Sequence, residues 1–292
     1  MAQSTPSLYA LDPALPVLLR PDGAVQVGWS PRRAVLIRPP RGLTAVGLAT
    51  VLRTMHSPVP MSELQRQADR HGALSAGELD DLVAQLVKAG VATHGRRQRP
   101  ARSASIRVHG RGPLSELLVE GLRCSGARVK QTSQPHAAVT AADVDVDLMV
   151  LSDNLITDPR MLRDLHSQGV AHLAVRVRDG IGLVGPLVIP GVTSCLDCAD
   201  LHRRDRDAAW PAVAAQLRDT VGVADRPTLL ATAALALSQV NRVIGAVREQ
   251  DGERRQGPDP GPPQALSTTL EFDVHAGSIV ARQWPRHPLC SC

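Results

Sequence analysis

Short apolar runs separated by turn residues open this 292-residue chain. PVLLR and AVQVGW flank Pro21-Asp22-Gly23, where Pro presets φ and Gly accepts a positive φ, and AVLIR follows Ser30-Pro31. Residues 16–38 therefore read as three strands. Helical spacing takes over in 43–55 (LTAVGLATVLRTM), 61–71 (MSELQRQADRH) and 76–89 (AGELDDLVAQLVKA). Ser75 with Glu78 forms a capping box for the third helix, and Gly90 is its natural C-cap. VATHG then reads as a short wing strand.

These elements make residues 1–94 a winged-helix-like module. Residues 95–105, GRRQRPARSAS, are rich in Arg, Pro and Ser and read as a linker. A different pattern fills 106–292. IRVHG is a strand, GRGPLSELLVEGLRCSG a glycine turn opening a helix, and ARVKQ a second strand. Asp147 to Leu151 has the unbroken apolar character of a fully buried strand, 158–168 reads as a helix, and VAHLAVRV as another strand. Strands alternating with helices argue for a parallel sheet covered on both faces. GIGLVGPLVIP (180–190) suits a hairpin or an extended crossing, and ATAALALSQVNRVIGAVRE a long helix on the sheet. A polar Pro/Gly-rich loop (251–264) precedes a final hairpin, TTLEFDV and SIVARQW, turning at His275-Ala276-Gly277.

Composition changes the picture little. Hydrophobic residues are 43% and charged residues 21%, a globular balance. No apolar run reaches the roughly 20 residues that span a bilayer. The first residues lack the basic start and apolar stretch of a signal peptide, so a cytoplasmic setting is expected. Net charge is +5, but only Lys88 and Lys130 of 33 basic residues are lysines, and 28 acidic residues are mixed among them. A solvated, mildly basic surface follows, not a nucleic-acid groove. A DNA-binding reading also meets Glu78, Asp80 and Asp81 on the third helix, where anions would repel phosphate.

Cysteine carries the strongest chemical signal. Cys195 and Cys198 form a CxxC, and Cys290 and Cys292 form a CxC. Two thiolate pairs complete a tetrahedral four-cysteine site suited to zinc, closed to water and hence structural. The competing reading is a redox CxxC, which would open a helix in a thioredoxin-like unit. Both pairs are expected in irregular sequence after strands. Cys124, on a helix, reads as an ordinary buried thiol. His109-Gly110-Arg111-Gly112-Pro113-Leu114-Ser115 joins a strand to a helix N-terminus and could cradle a phosphate. Pro113 removes one N–H from that cradle, Ser115 stands where a third glycine would fall, and no acidic residue follows Val129-Lys130-Gln131 to hold a ribose. Gly110, Gly112 and Asp153 are thus candidates for a degenerate nucleotide site. Trp210 and Trp284 are expected to pack near the cysteines. His287 is open between a thiolate-orienting donor and a solvent-facing ring.

The glycine turn, DLMVLSDN, GPLVIPGVTSCLDCADL and the closing cysteines resemble the ThiF-type, ubiquitin-activating-enzyme-like fold. CLDCADLHRRDRDAAWPAVAAQL with WPRHPLCSC is similar to its ocin-ThiF branch, the cyclodehydratase partners of azole- and azoline-forming peptide biosynthesis. The resemblance implies an α/β chain with an N-terminal peptide recognition element, a Rossmann-like ThiF-type domain over 106–292 and a structural zinc. It implies a precursor-peptide leader and a YcaO-type enzyme as partners, and a homodimer. Activating members of the fold need an acidic residue after the second strand, then an arginine and a lysine on the next crossover. Residues 132–146, TSQPHAAVTAADVDV, contain neither cation. ATP is therefore not expected, and Asp153 alone would not stabilise a transferring nucleotidyl group.

A non-catalytic leader-binding scaffold follows, the leader adding as a strand at Val35, Leu36 and Ile37 in a groove closed by the 76–89 helix. Val83 and Leu86 on that helix are open between core and peptide contact. The alternative is an ATP-dependent ThiF-type adenylyltransferase.

Overall fold

Two compact units divide the chain in a computed structural model that describes residues 7–72, 74–96, 102–133, 145–251 and 261–292. One unit holds residues 7–96 and the other residues 102–251 with 261–292. Part of the expected linker, residues 97–101, lies outside the described residues, as do 134–144 of the short crossover and 252–260 of the late loop.

The first unit runs β1 (Ser7–Leu11), β2 (Val17–Leu19), β3 (Val25–Val27), β4 (Val35–Ile37), α1 (Ala45–Thr54), β5 (Val59–Pro60), α2 (Met61–His71), α3 (Ala76–Lys88) and β6 (Ala92–Arg96). The strands β2-β3-β4 form an antiparallel meander, with Gly23 at φ 77° in the first turn, as Pro-Asp-Gly demands. The expected wing strand is β6. It pairs with β1, which also pairs with β5. β1 lies outside the strands predicted by pattern, because its partners stand far away in sequence: Tyr9 faces Val59 and Leu11 faces Ala92. α3 begins on the predicted box, with Ser75 Oγ accepting from the Glu78 N–H at 3.3 Å and Glu78 Oε2 from the Ser75 N–H at 3.0 Å.

Period alone leaves the inner face of α3 ambiguous, and packing resolves it. Val83 and Leu86 are each 1% exposed, in one core with Leu48, Leu52 and Leu64. They offer a peptide no surface, so the groove expected between 34–38 and 76–89 is not lined by these side chains. Leu36, by contrast, is 58% exposed at the centre of the edge strand β4. It shares a sheet face with Gln26 and Leu18.

The second unit comprises β7 (Ser105–His109), α4 (Pro113–Cys124), β8 (Arg128–Thr132), β9 (Leu148–Ser152), α5 (Pro159–Ser167), β10 (His172–Arg178), β11 (Ile181–Val188), α6 (Leu196–Arg206), α7 (Trp210–Gln216), α8 (Arg226–Gln250), β12 (Thr268–Asp273) and β13 (Ser278–Gln283). Seven strands lie in the order β13-β12-β11-β10-β9-β7-β8. β8, β7, β9 and β10 are parallel and the other three join antiparallel, so the sheet is mixed and not wholly parallel as the alternation suggested. The reversal has a local cause: Asp179 and Gly180, at φ 53° and 78°, make a tight turn that only antiparallel strands can share.

Alternate residues of the central strands feed two cores. Leu148 and Val150 face α4 and α8, while Met149 and Leu151 face α5 and the first cysteine pair. α8 is long and apolar enough to cross a membrane by length and composition. Here Leu229, Ala233, Ala236, Val240 and Ile244 bury its inner face. Cys124, expected to be buried, is exposed at the last turn of α4.

His172 opens β10 fully buried, its Nδ1 3.0 Å from the Val170 carbonyl and its Nε2 without a partner. Burial pushes its pKa from 6.5 down to about 4, against that hydrogen bond. Below pH 6.5 the unfolded chain takes up a proton that the folded chain refuses, so stability is complete above 6.5 and lost on acidification towards 4. The loss is about 3 kcal/mol. His172→Leu should flatten that part of the profile, measured as unfolding free energy of the second unit at about pH 7 and pH 4.

Candidate metal centre and the glycine turn

β11 ends against the sheet core, and a turn at Pro190-Gly191 brings Cys195 to the N-cap of α6. Its sulfur accepts from the Cys198 N–H at 3.4 Å. The CxxC thus opens a helix, contrary to the irregular setting expected for it. What separates it from a lone redox motif is the arrival of the second pair. Cys195 Sγ lies 3.7 Å from Cys198 Sγ and 3.5 Å from Cys290 Sγ, and Cys198 Sγ lies 3.4 Å from Cys292 Sγ. All four sulfurs fall within 4.8 Å of one another. The edge of a zinc–thiolate tetrahedron is about 3.8 Å, from Zn–S bonds near 2.3 Å. The four cysteines therefore fit a metal ion closed to other ligands.

Electrostatics points the same way. Burial pushes the Cys195 thiol far up and raises that of Cys290. At Cys198 burial also acts upward, but hydrogen bonds from backbone N–H groups, that of His287 foremost, outweigh it and bring the thiol down to about 7. Four thiolates packed this closely need a cation among them, and a divalent ion supplies that charge when bound.

The segment carrying Cys290 and Cys292 is held before it reaches the site. Trp284 is 3% exposed and donates from Nε1 to Thr269 Oγ1 at 2.9 Å. Arg286 bonds the Gly191 carbonyl at 2.6 Å. His287 accepts the Leu289 N–H on Nδ1 at 3.1 Å, which leaves Nε2 to donate to Asp205 Oδ2 at 2.7 Å. The open question about His287 thus resolves to the thiolate-orienting donor, since the residue is only 6% exposed and its ring is not solvent-facing. Its backbone N–H reaches Cys198 Sγ at 3.4 Å while its buried ring locks the segment to α6. Arg203 lies between the two tryptophans expected near the cysteines, 4.7 Å from the Trp284 ring and 5.4 Å from that of Trp210. Asp200 accepts from both Arg203 and Trp210 Nε1. A cleft of about 490 Å³ beside Cys290 is walled by Leu162, Arg204 and Trp210.

The glycine turn has a different outcome. Gly110 and Gly112 do meet Asp153, and closely: a Cβ on Gly110 would lie 2.2 Å from Ser152 Oγ, and one on Gly112 2.7 Å from Asp153 Oδ1. Asp153, 1% exposed and at φ 71°, accepts the Leu114 N–H at 2.9 Å and the Ser115 N–H at 3.2 Å. A carboxylate from β9 therefore occupies the anion site at the N-terminus of α4. The three predicted residues are together, but as an internal cap.

No protein-family model matches the chain, and no curated protein does. Solved structures match. A heterocyclase in complex with substrate and cofactor aligns over 98% of the chain at 14% identity and TM-score 0.68. The heterocyclase TruD aligns over 98% at 14% identity and TM-score 0.69. E. coli MccB with ATP aligns over 97% at 12% identity and TM-score 0.59. The chain has their fold. It spans 39% and 42% of the two heterocyclase chains, and 99% of MccB.

Two outcomes test the site. Protein purified under reducing conditions should carry one zinc per chain by elemental analysis, and Cys195→Ser should lose it with a fall of several degrees or more in the melting temperature of the second unit. Asp153→Ala should cost about 2 kcal/mol, because two buried amides lose their acceptor; chemical denaturation measures this.

Proposed function

We propose that this chain is a non-catalytic scaffold that binds the leader of a precursor peptide and presents it to a separate YcaO-type azoline-forming enzyme. The observation that carries the reading is Asp153 on the amides of α4, where a nucleotide phosphate would otherwise be received. Residues 132–146 contain no Arg or Lys, so the sequence also lacks the cations of adenylate chemistry on that crossover. The shared fold with heterocyclases, one of them bound to substrate and cofactor, supports a place in peptide processing. MccB, a Microcin C7 biosynthetic enzyme of the same fold, has been solved in complex with N-formylated MccA.

In this reading the leader adds as a strand beside β4 at Val35, Leu36 and Ile37, with the exposed Leu36 giving a side-chain contact. The zinc-bearing unit docks the modifying enzyme, and the chain works as a homodimer in the cytoplasm. Alignment with almost the whole of MccB, solved with ATP, favours a second reading, an adenylating enzyme that activates a peptide carboxylate.

The test starts by searching beside this chain's gene for a short Cys/Ser/Thr-rich peptide, whose leader then serves as the probe. Fluorescence titration should show saturable binding, weakened about tenfold or more, on the order of 1.4 kcal/mol, by Leu36→Arg. ATP–pyrophosphate exchange should stay at background with peptide present; exchange that depends on the peptide would replace the scaffold with the adenylating enzyme.

A further inference from the structure

β10 places an arginine where its neighbours are apolar. Arg176 lies between Val175 and Val177, both fully buried, and is itself 8% exposed. Among the described residues its guanidinium has one hydrogen bond, to the Leu155 carbonyl, and no ion pair. A guanidinium offers five N–H donors and keeps its charge, so this is an incompletely matched buried cation. Burial foremost, with the charges of Arg203 and Arg178, brings its pKa down from 12.5 to about 10, and Asp200 only partly offsets them. At pH 7 it remains charged.

The nearby carboxylates are committed elsewhere. Asp200 holds Arg203 at 2.7 Å, and Glu271 takes Arg282 through both oxygens at 2.9 and 3.4 Å, with Arg178 at 3.9 Å. Asp153, which follows β9, is occupied by the amides of α4. Arg176, Arg178 and Arg203 all line a pocket of about 40 Å³, completed by Leu155, Ile156 and the Trp210 ring. That volume suits one terminal group and not a whole nucleotide. Three guanidinium groups at one small opening, with one of them buried and short of acceptors, are the chemistry that receives a carboxylate or phosphate by charge-assisted hydrogen bonds.

We propose that Arg176, Arg178 and Arg203 form an oxyanion pocket that takes one carboxylate or phosphate group of a ligand whose remainder lies on the adjoining apolar wall. None of the four cysteines lines the pocket, and the proposal stands whether or not the scaffold reading holds. The ligand's negative charge completes the partnership that the buried guanidinium lacks.

The probes are acetate and inorganic phosphate, compared with chloride at equal ionic strength and pH 7 on the full, zinc-loaded chain. Calorimetry should show a rise in melting temperature on the order of 3 °C in acetate or phosphate over chloride. A larger rise in acetate assigns the pocket to carboxylate ends, and a larger rise in phosphate to phosphoryl groups. Arg176→Met should melt no lower than the unsubstituted protein in chloride, since a poorly matched buried charge is removed, and should lose the oxyanion-dependent rise. Arg178→Gln, at a partly exposed position, should fold normally and show a smaller rise. Equal melting in all three anions, an undiminished rise in Arg176→Met, or a lower melting temperature of that variant in chloride would overturn the proposal.

Discussion

Four sulfurs meeting at one point hold the second unit's most polar layer in place. α6 buries only Leu196, Cys198 and Ala199, so apolar packing secures little more than its first turn. Beyond that turn it is held by polar contacts: Arg203 between two tryptophans and Asp205 on His287. The contacts of Arg203 with Trp284 and of Asp205 with His287 exist only while the segment from Trp284 to Cys292 lies across α6. The cysteines bring residues about ninety positions apart to within 3.4–3.5 Å. A metal ion among them would convert like-charge repulsion into attraction and give the polar layer a fixed point.

The ends of β9 and β10 show two treatments of buried charge. At Asp153 the protein answers a helix N-terminus with its own carboxylate, and the local positive potential is neutralised inside the fold. At Arg176, in the neighbouring strand, no carboxylate of the described residues arrives. One anion site is closed by the chain itself and one cationic site is left for something else to satisfy. The inward-turned aspartate leaves the strand–turn–helix at Gly110–Ser115 intact.

Much of this was legible in the residues. The capping box at Ser75 and Glu78, the Pro-Asp-Gly turn and the final hairpin depend on neighbours in sequence, and each forms where local chemistry predicts. The four cysteines were legible because metal chemistry restricts which residues can meet. β1 was not, since its pairing to β5 and β6 rests on partners chosen by the fold. Cys124 misled for a related reason: on a helix, period alone does not say which side faces the core. Arg176 did leave a signal in HLAVRVR, an arginine at an inward position of a buried strand, but its meaning depends on which carboxylates reach it.

The fate of the first unit's α3 bears on how a peptide could be held. Val83 and Leu86 are consumed by the core, so the inner face of that helix contributes rigidity and not contact. The backbone of β4 is a different resource. On its outer side an edge strand carries amides and carbonyls whose alternative partner is water, and an added strand exchanges those bonds at small net cost per bond. Affinity then has to come from side chains, and at β4 the exposed apolar group is Leu36, with Leu18 across the sheet on the same face. A binding site made this way would be shallow and tolerant of sequence, needing one or two apolar anchors in the peptide. Discrimination beyond that would come from charges flanking the strand, where Arg33 and Arg38 stand.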